Sequence, residues 1–215
     1  MTDTSPGERV HDLLVIGGGP AGAATAYWAA THGLDTVVVE RKTFPRDKTC
    51  GDGLPPRAVH ELEEMGLGPA LEGYHRFEGL RAIAHGRTIE MAWPDHPVYP
   101  SYGYVVRRCD LDGFVADHAV GAGATLLQGT EAVRPVDPPA GSAAGAIGGA
   151  VVLDKASGTE HDLRARHVVV ADGANSRFGR AMGTVRDRTY PMGMAIRGYF
   201  ESPLHDDPWI ESSLD

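Results

Sequence analysis

An α/β fold wound around a parallel sheet is what this 215-residue sequence predicts, and three observations predict it. Short, almost continuous apolar runs, Asp12–Gly17 (DLLVIG) and Asp35–Glu40 (DTVVVE), have the pattern of strands covered on both faces. Between them lies an alanine-rich segment of helical length, Pro20–Thr31, ended by Gly33. Finally, 28 Gly and 15 Pro supply the many tight turns that a loop-punctuated α/β chain uses and a helical bundle does not. With 42% hydrophobic and 23% charged residues, the composition is that of an ordinary globular protein, which excludes disorder as the main state. The length allows one large or two modest domains.

Taken in order, the first strand, helix and second strand make a β-α-β unit of roughly thirty residues. Such a unit forces parallel strands with a right-handed crossover. A turn-rich loop (RKTFPRDKTCGDGLPP) follows Glu40 and leads to a helix over Arg57–Met65, with Pro55 and Pro56 suited to its start and Gly66 closing it. Phe77–Trp93 reads as two short strands broken at Gly86, and Tyr104–Val106 as another. A helix over Asp110–Val120 carries Leu111, Phe114, Val115, His118 and Ala119 at spacings of three and four, giving a mostly apolar face. Strands take over from Thr125: LLQG, TEAVRPV, AVVLDK and EHDLRARHVVVAD. Asp137–Gly149 is low in complexity and reads as an enlarged hairpin loop. His167–Ala171 reads as a buried, parallel-type strand that returns the chain to the first sheet.

The net charge of -9 is unevenly spread. Glu201, Asp206, Asp207, Glu211 and Asp215 fall in the last fifteen residues, leaving 24 of the 29 acids against all 20 bases in the first 200. That body has no basic groove for nucleic acid. No run approaches the 18 apolar residues of a membrane span, and the start MTDTSPGERVHD has no apolar signal core, so a cytoplasmic chain is expected. Cys50 and Cys109 are then expected as reduced thiols. The ten histidines show no metal-ligand spacing, so no metal is expected. Trp28, on the first helix, reads as a core residue, and no nucleophile with its base is evident.

Three motifs carry chemistry. Gly17-Gly18-Gly19-Pro20-Ala21-Gly22 matches G-x-G-x-x-G directly after a strand and at the mouth of a helix. The first glycine makes the turn, the second admits a pyrophosphate, and the third lets helix and strand pack closely. Phosphates would sit on the helix N-terminus, where unpaired N–H groups and the dipole favour anions. Glu40, 18 residues past Gly22, stands where the ribose hydroxyls of an adenosine need an acceptor. A carboxylate there repels a 2′-phosphate, which disfavours NADP and leaves FAD and NAD. Arg41 is expected to face solvent or the adenine. The second motif is Asp172-Gly173-Ala174-Asn175-Ser176-Arg177-Phe178-Gly179-Arg180 at the end of an apolar strand. It resembles the Asp-Gly fingerprint of flavoprotein hydroxylases, with either Arg177 or Arg180 in the arginine position, and together with the glycine motif it favours FAD. The third is Arg108-Cys109-Asp110-Leu111-Asp112, where Asp110 suits the first helical turn and the Arg108 guanidinium suits a flavin phosphate or ribityl oxygen.

The loop Pro45-Arg46-Asp47-Lys48-Thr49-Cys50-Gly51-Asp52-Gly53-Leu54-Pro55-Pro56 has the form P-x-x-x-x-C-G and runs into a helix. With these motifs, the sequence resembles the geranylgeranyl reductase family of FAD-dependent oxidoreductases, and within it the menaquinone reductases that saturate a double bond of the isoprenoid tail. The resemblance implies a Rossmann-type FAD-binding domain of the glutathione-reductase/hydroxylase kind, with an antiparallel β insertion and the start of a substrate domain. It implies an FAD-binding domain over 1–185, with 74–105 contributing to the substrate domain, and a truncated start of that domain over 186–215. A late Gly-Asp motif and a Tyr-x-Trp-x-Phe-Pro motif of such proteins are missing, so the chain is expected to be an N-terminal part with exposed apolar surface.

The resemblance places Cys50 and Gly51 beside the isoalloxazine ring. There the thiol would pack on the ring, tune its potential or assist a proton transfer. Implied partners are a polyprenyl or isoprenoid lipid and an electron donor, NAD(P)H or another reductant, with peripheral membrane contact. Two rivals stand beside this reading: an aromatic monooxygenase or halogenase of the same superfamily, and a nucleotide-binding module without activity of its own.

Overall fold

The computed structural model describes residues 9–185, 187, 189–191 and 193–214. The polar start, Met1–Glu8, and the last acid, Asp215, lie outside the described residues. The chain divides into two units: one of residues up to 46 with 112–192, the other of 47–111 with 193–215. The 47–111 segment of the second unit contains the 74–105 stretch assigned above to the substrate domain, and its 193–215 segment lies inside 186–215.

In the first unit, β1 (Val10–Ile16), α1 (Pro20–Thr31) and β2 (Thr36–Glu40) form the expected β-α-β unit, β1 and β2 pairing in parallel. Proline at the first turn of α1 loses no helical hydrogen bond, and Gly33, at φ +79°, turns the chain out of the helix. The later strands are β8 (Thr125–Gln128), β9 (Thr130–Val136), β10 (Gly149–Asp154) and β11 (Glu160–Val170). They complete a six-stranded sheet in the order β8-β2-β1-β11-β10-β9. From β8 to β11 the pairings are parallel, and β11-β10-β9 is antiparallel, the 137–148 loop joining β9 to β10.

Strand alternation divides the core between the two faces of this sheet. Leu14, Ile16, Val37, Val39, Ala150 and Val152 pack with Phe178 of α5 (Arg177–Ala181). Leu13, Val15 and Val38 pack against Ala26 and Ala29 of α1 and Ala119 of α4 (Arg108–Gly121). Two expectations need correction. His167–Ala171 does return to β1 in parallel, but Val168 and Val169 are half-buried and Val170 is 38% exposed. Helix α1 lies against β1 and β2, and α5 against β9. Trp28 is not core: it is 42% exposed, on the outer face of α1, with its edge against Tyr27.

The second unit holds two small sheets. One joins β3 (Gly53–Leu54), β7 (Gly103–Val105) and β4 (His75–Phe77), with α2 (Pro56–Glu64) and α3 (Gly68–Leu71) beside them in sequence. The other has the order β12-β5-β6, from β5 (Gly79–Ala84), β6 (Arg87–Ala92) and β12 (Trp209–Ser213). A tight turn at His85-Gly86, both at positive φ, makes the β5–β6 hairpin. The acidic end therefore contributes a strand, β12, that pairs in parallel with β5. Arg81 of β5 meets Asp207 at 2.6 Å and Glu90 at 2.8 Å. Large apolar side chains are well exposed at Val185, Met194, Ile196 and Phe200.

Candidate functional site: a glycine cradle and a cysteine loop

The turn from β1 into α1 admits only glycine at two positions. A Cβ on Gly22 would stand 1.8 Å from the Gly17 carbonyl oxygen, and one on Gly17, at φ +102°, would stand 2.5 Å from the Ala171 oxygen. Gly19 differs: a Cβ there would meet only the Arg46 guanidinium, at 3.5 Å. The backbone in front of the helix is thus open on the side where the second glycine of the motif needs it open. No side chain caps the first turn of α1, and Pro20 has no N–H, so the amides of Ala21 and Gly22 face the mouth.

Glu40, 5% exposed, closes one side of this cradle. Its Oε2 accepts the Gly18 N–H at 2.9 Å and its Oε1 the Lys42 N–H at 3.0 Å. Arg46 donates to the same Oε2 at 3.3 Å and reaches Asp112, on α4, at 3.1 Å. Asp112 is fully buried, and the Arg46 Nε is buried with no partner. Neither Arg46 nor Asp112 stood among the sequence candidates. A signal existed for Asp112, an acid set among Leu111, Val115 and Ala116 on the apolar side of a helix, which needs a buried cation. Arg41, by contrast, is exposed; its carbonyl takes a hydrogen bond from Lys155.

At the end of β11, Asp172 uses Oδ2 to accept the N–H groups of Arg177, at 2.9 Å, and Phe178, at 3.3 Å, which secures the head of α5. Its Oδ1 is buried without a partner. Gly173, at φ +87°, makes the turn, and Ser176 caps α5 by accepting the Gly179 N–H at 2.8 Å. Arg177 pairs with Glu131, whereas Arg180 donates to the Asn175 carbonyl.

In the second unit, Cys50 is an exposed free thiol, in the loop before β3. Cys109 is half-buried, and burial, helped by its contact with Asp110, pushes its thiol up. Arg108 is the first residue of α4, and its backbone N–H donates to Asp52 at 3.1 Å. Among the described residues no group of His, Cys, Asp and Glu has the makings of a metal site. Among the described residues no helix is long and apolar enough to cross a membrane.

Residues 11–207 match the family model described as the FAD binding domain. The chain belongs to that family. Its cofactor is FAD. It is 43% identical over 204 residues to the menaquinone reductase of Mycobacterium tuberculosis, covering 95% of this chain and 48% of that one. A solved geranylgeranyl bacteriochlorophyll reductase-like protein from Thermoplasma acidophilum superposes with a TM-score of 0.68 at 29% identity, over 83% of this chain and 43% of the other. A myxobacterial chondrochloren halogenase gives 0.72 at 26%, over 80% and 39%. The chain spans about half the length of the curated relatives it matches. The first unit suits FAD: the open mouth at Gly19 and the unpartnered Asp172 Oδ1 leave room for a diphosphate and an acceptor for a hydroxyl.

Proposed function

We propose that this protein is an FAD-dependent reductase that saturates a carbon–carbon double bond of an isoprenoid chain, the tail of a menaquinone being the favoured substrate. The similarity to a menaquinone reductase over 95% of the chain carries the proposal. In this reading Gly17, Gly19, Pro20, Ala21 and Gly22 receive the diphosphate at the head of α1, where two free amides and the helix dipole favour it. Glu40 has a lone pair left on Oε1 for a ribose hydroxyl, and exposed Arg41 borders the adenine. Asp172 gives Oδ1 to a cofactor hydroxyl, with Gly173 and Ser176 shaping the turn that aims it. Arg108 holds a phosphate or ribityl oxygen with its planar fork of donors.

Bound FAD supplies the hydride equivalent. An isoprenoid double bond has no neighbouring carbonyl to spread charge, so the protein must align the chain and keep water away. In this reading Cys50 and Gly51 serve beside the ring: the bare Gly51 backbone allows close approach, and the Cys50 thiol assists a proton transfer. The electron donor is a nicotinamide or another reductant. A polyprenyl chain resides in lipid, so peripheral contact with the cytoplasmic membrane belongs to the proposal.

The test is anaerobic. Photoreduced, FAD-bound protein incubated with menaquinone should yield a product two hydrogens heavier by mass spectrometry. Cys50→Ala should keep the flavin absorbance and slow turnover about tenfold or more, as expected for loss of a proton-handling group. Unchanged turnover would remove Cys50 from the reaction. The likeness to a halogenase supports a second reading, an oxygen-dependent enzyme acting on an aromatic substrate. Product that forms only with oxygen, and no gain of two hydrogens without it, would favour that reading.

A further inference from the structure

The loop that carries Cys50 has little to hold it at the cysteine itself. Cys50 and Gly51 are both exposed, and a Cβ built on Gly51 would meet nothing within 4 Å. Asp52, the next residue, is the opposite, with a side chain only 11% exposed. Its Oδ1 accepts the backbone N–H of Arg108 at 3.1 Å and the Arg197 Nη1 at 3.1 Å. Its Oδ2 accepts the Tyr199 hydroxyl at 2.8 Å, and its carbonyl accepts the Val106 N–H at 2.8 Å. One carboxylate therefore joins the loop to the head of α4 and to the 197–199 segment, all within the second unit.

Arg197 extends the grip to the other side of Cys50. The same Nη1 donates to the Lys48 carbonyl at 2.9 Å, and Nη2 pairs with Asp47. Its guanidinium lies over the Tyr199 ring, 4.9 Å from the centroid. Burial, followed by the hydrogen bond to Asp52, pushes the Tyr199 phenol up, so it stays a donor through the neutral range. The cysteine thus sits between two fixed points, Lys48 before it and Asp52 after it. Charge-assisted bonds of this kind set geometry as well as strength.

We propose that Asp52 is a positioning residue for Cys50, fixing the Cys50–Gly51 loop against α4 and the Arg197–Tyr199 pair. The inference rests on the reading that Cys50 takes part in the reaction. It further implies that the loop carrying Cys50 and the helix start carrying Arg108 are held in one register by this carboxylate.

The experiment uses the purified FAD-bound protein with Asp52→Ala, Asp52→Asn and Tyr199→Phe. Iodoacetamide labelling of Cys50, separated from Cys109 by peptide mass spectrometry, reports the thiol without reference to activity. Asp52→Ala should raise the labelling rate about threefold or more, because thiol reactivity follows access and surroundings. It should keep the flavin spectrum and lower kcat about tenfold with KM for menaquinone within about twofold, the split expected when alignment and not binding is lost. Asp52→Asn, which still accepts the Arg108 N–H, and Tyr199→Phe, which removes one tie, should fall between it and wild type. Should Asp52→Ala fail to fold, these two carry the test alone.

Wild-type labelling rates in every folded variant would overturn the proposal. Faster labelling with unchanged kcat would leave Asp52 as the residue that places the thiol and would refute the thiol's part in the reaction. Slow turnover in Cys50→Ala, with normal labelling in the Asp52 variants, would refute the positioning role alone.

Discussion

Glu40 and Asp52 do similar work in different surroundings. Each carboxylate accepts a backbone N–H from the chain at or before a helix, Gly18 ahead of α1 and Arg108 at the start of α4. Each is gripped by an arginine, Arg46 or Arg197. Around Glu40 the paired side chains are largely buried, and the arginine bridges to a fully buried acid, Asp112. Around Asp52 the second acid, Asp47, is largely exposed, and Tyr199 supplies the third bond. Water decides the difference. A dry cluster must be complete before the fold is stable, since an unmatched buried charge is far costlier than an exposed one. In the Asp52 cluster the exposed contact is that of Asp47, and such a contact can be opened while the fold survives.

That contrast can be broken at several points. The largest effect belongs to Gly22→Ala, where a methyl has to enter a space already filled by the Gly17 carbonyl. It should cost more than about 3 kcal/mol in urea denaturation and abolish flavin retention on gel filtration. Next comes a matched pair of truncations, one in each cluster. Asp112→Ala leaves Arg46 short of a buried partner and should cost about 3–5 kcal/mol, whereas Asp47→Ala should melt within error of wild type. Equal losses from both would erase the distinction between a dry cluster and a wet one.

The smallest effect concerns a control, the Arg81–Asp207 pair, which ties β5 to the segment leading into β12. The hydrogen bond from Arg81 lowers the Asp207 pKa below its ordinary 3.8. A folded-state value below the unfolded one adds stability at neutral pH that disappears as pH falls through it. Asp207→Asn should therefore lower Tm by a few degrees at most at pH 7. The gap should close below about pH 3.8 in a thermal melt followed by circular dichroism. A gap that persists under acid would mean the pair acts through packing, not charge.

Much of the cradle was legible in the sequence. Gly17, Gly19 and Gly22 between a strand and a helix are legible through their spacing, although only Gly22 answers a demand within six residues, the Gly17 carbonyl, while Gly17 is confined by distant Ala171. Glu40 follows from the length of a β-α-β unit. Arg46 was hidden because it lies in a loop that reads as turns, and its partners are Glu40, six residues back, and Asp112, on a different element. Asp112 left a trace, since an acid among the apolar residues of a helix needs an explanation. The ties of Asp52 left none. Arg197 and Tyr199 stand about 145 residues away, in a segment with no periodic pattern.

The sequence by itself determined that β1 and β2 are buried strands, where α1 and α2 begin, and that the turn from β1 into α1 carries the glycine spacing of a dinucleotide motif. Those features depend on neighbours in the chain, through alternation, helix-start chemistry and the freedom of glycine. Tertiary structure alone decided that β11 stays half-exposed and that the acidic end forms β12 beside β5. It also decided which arginine grips which carboxylate. A hydrogen bond between distant segments is governed by where the packed sheet and helices bring them, and no spacing along the chain records that.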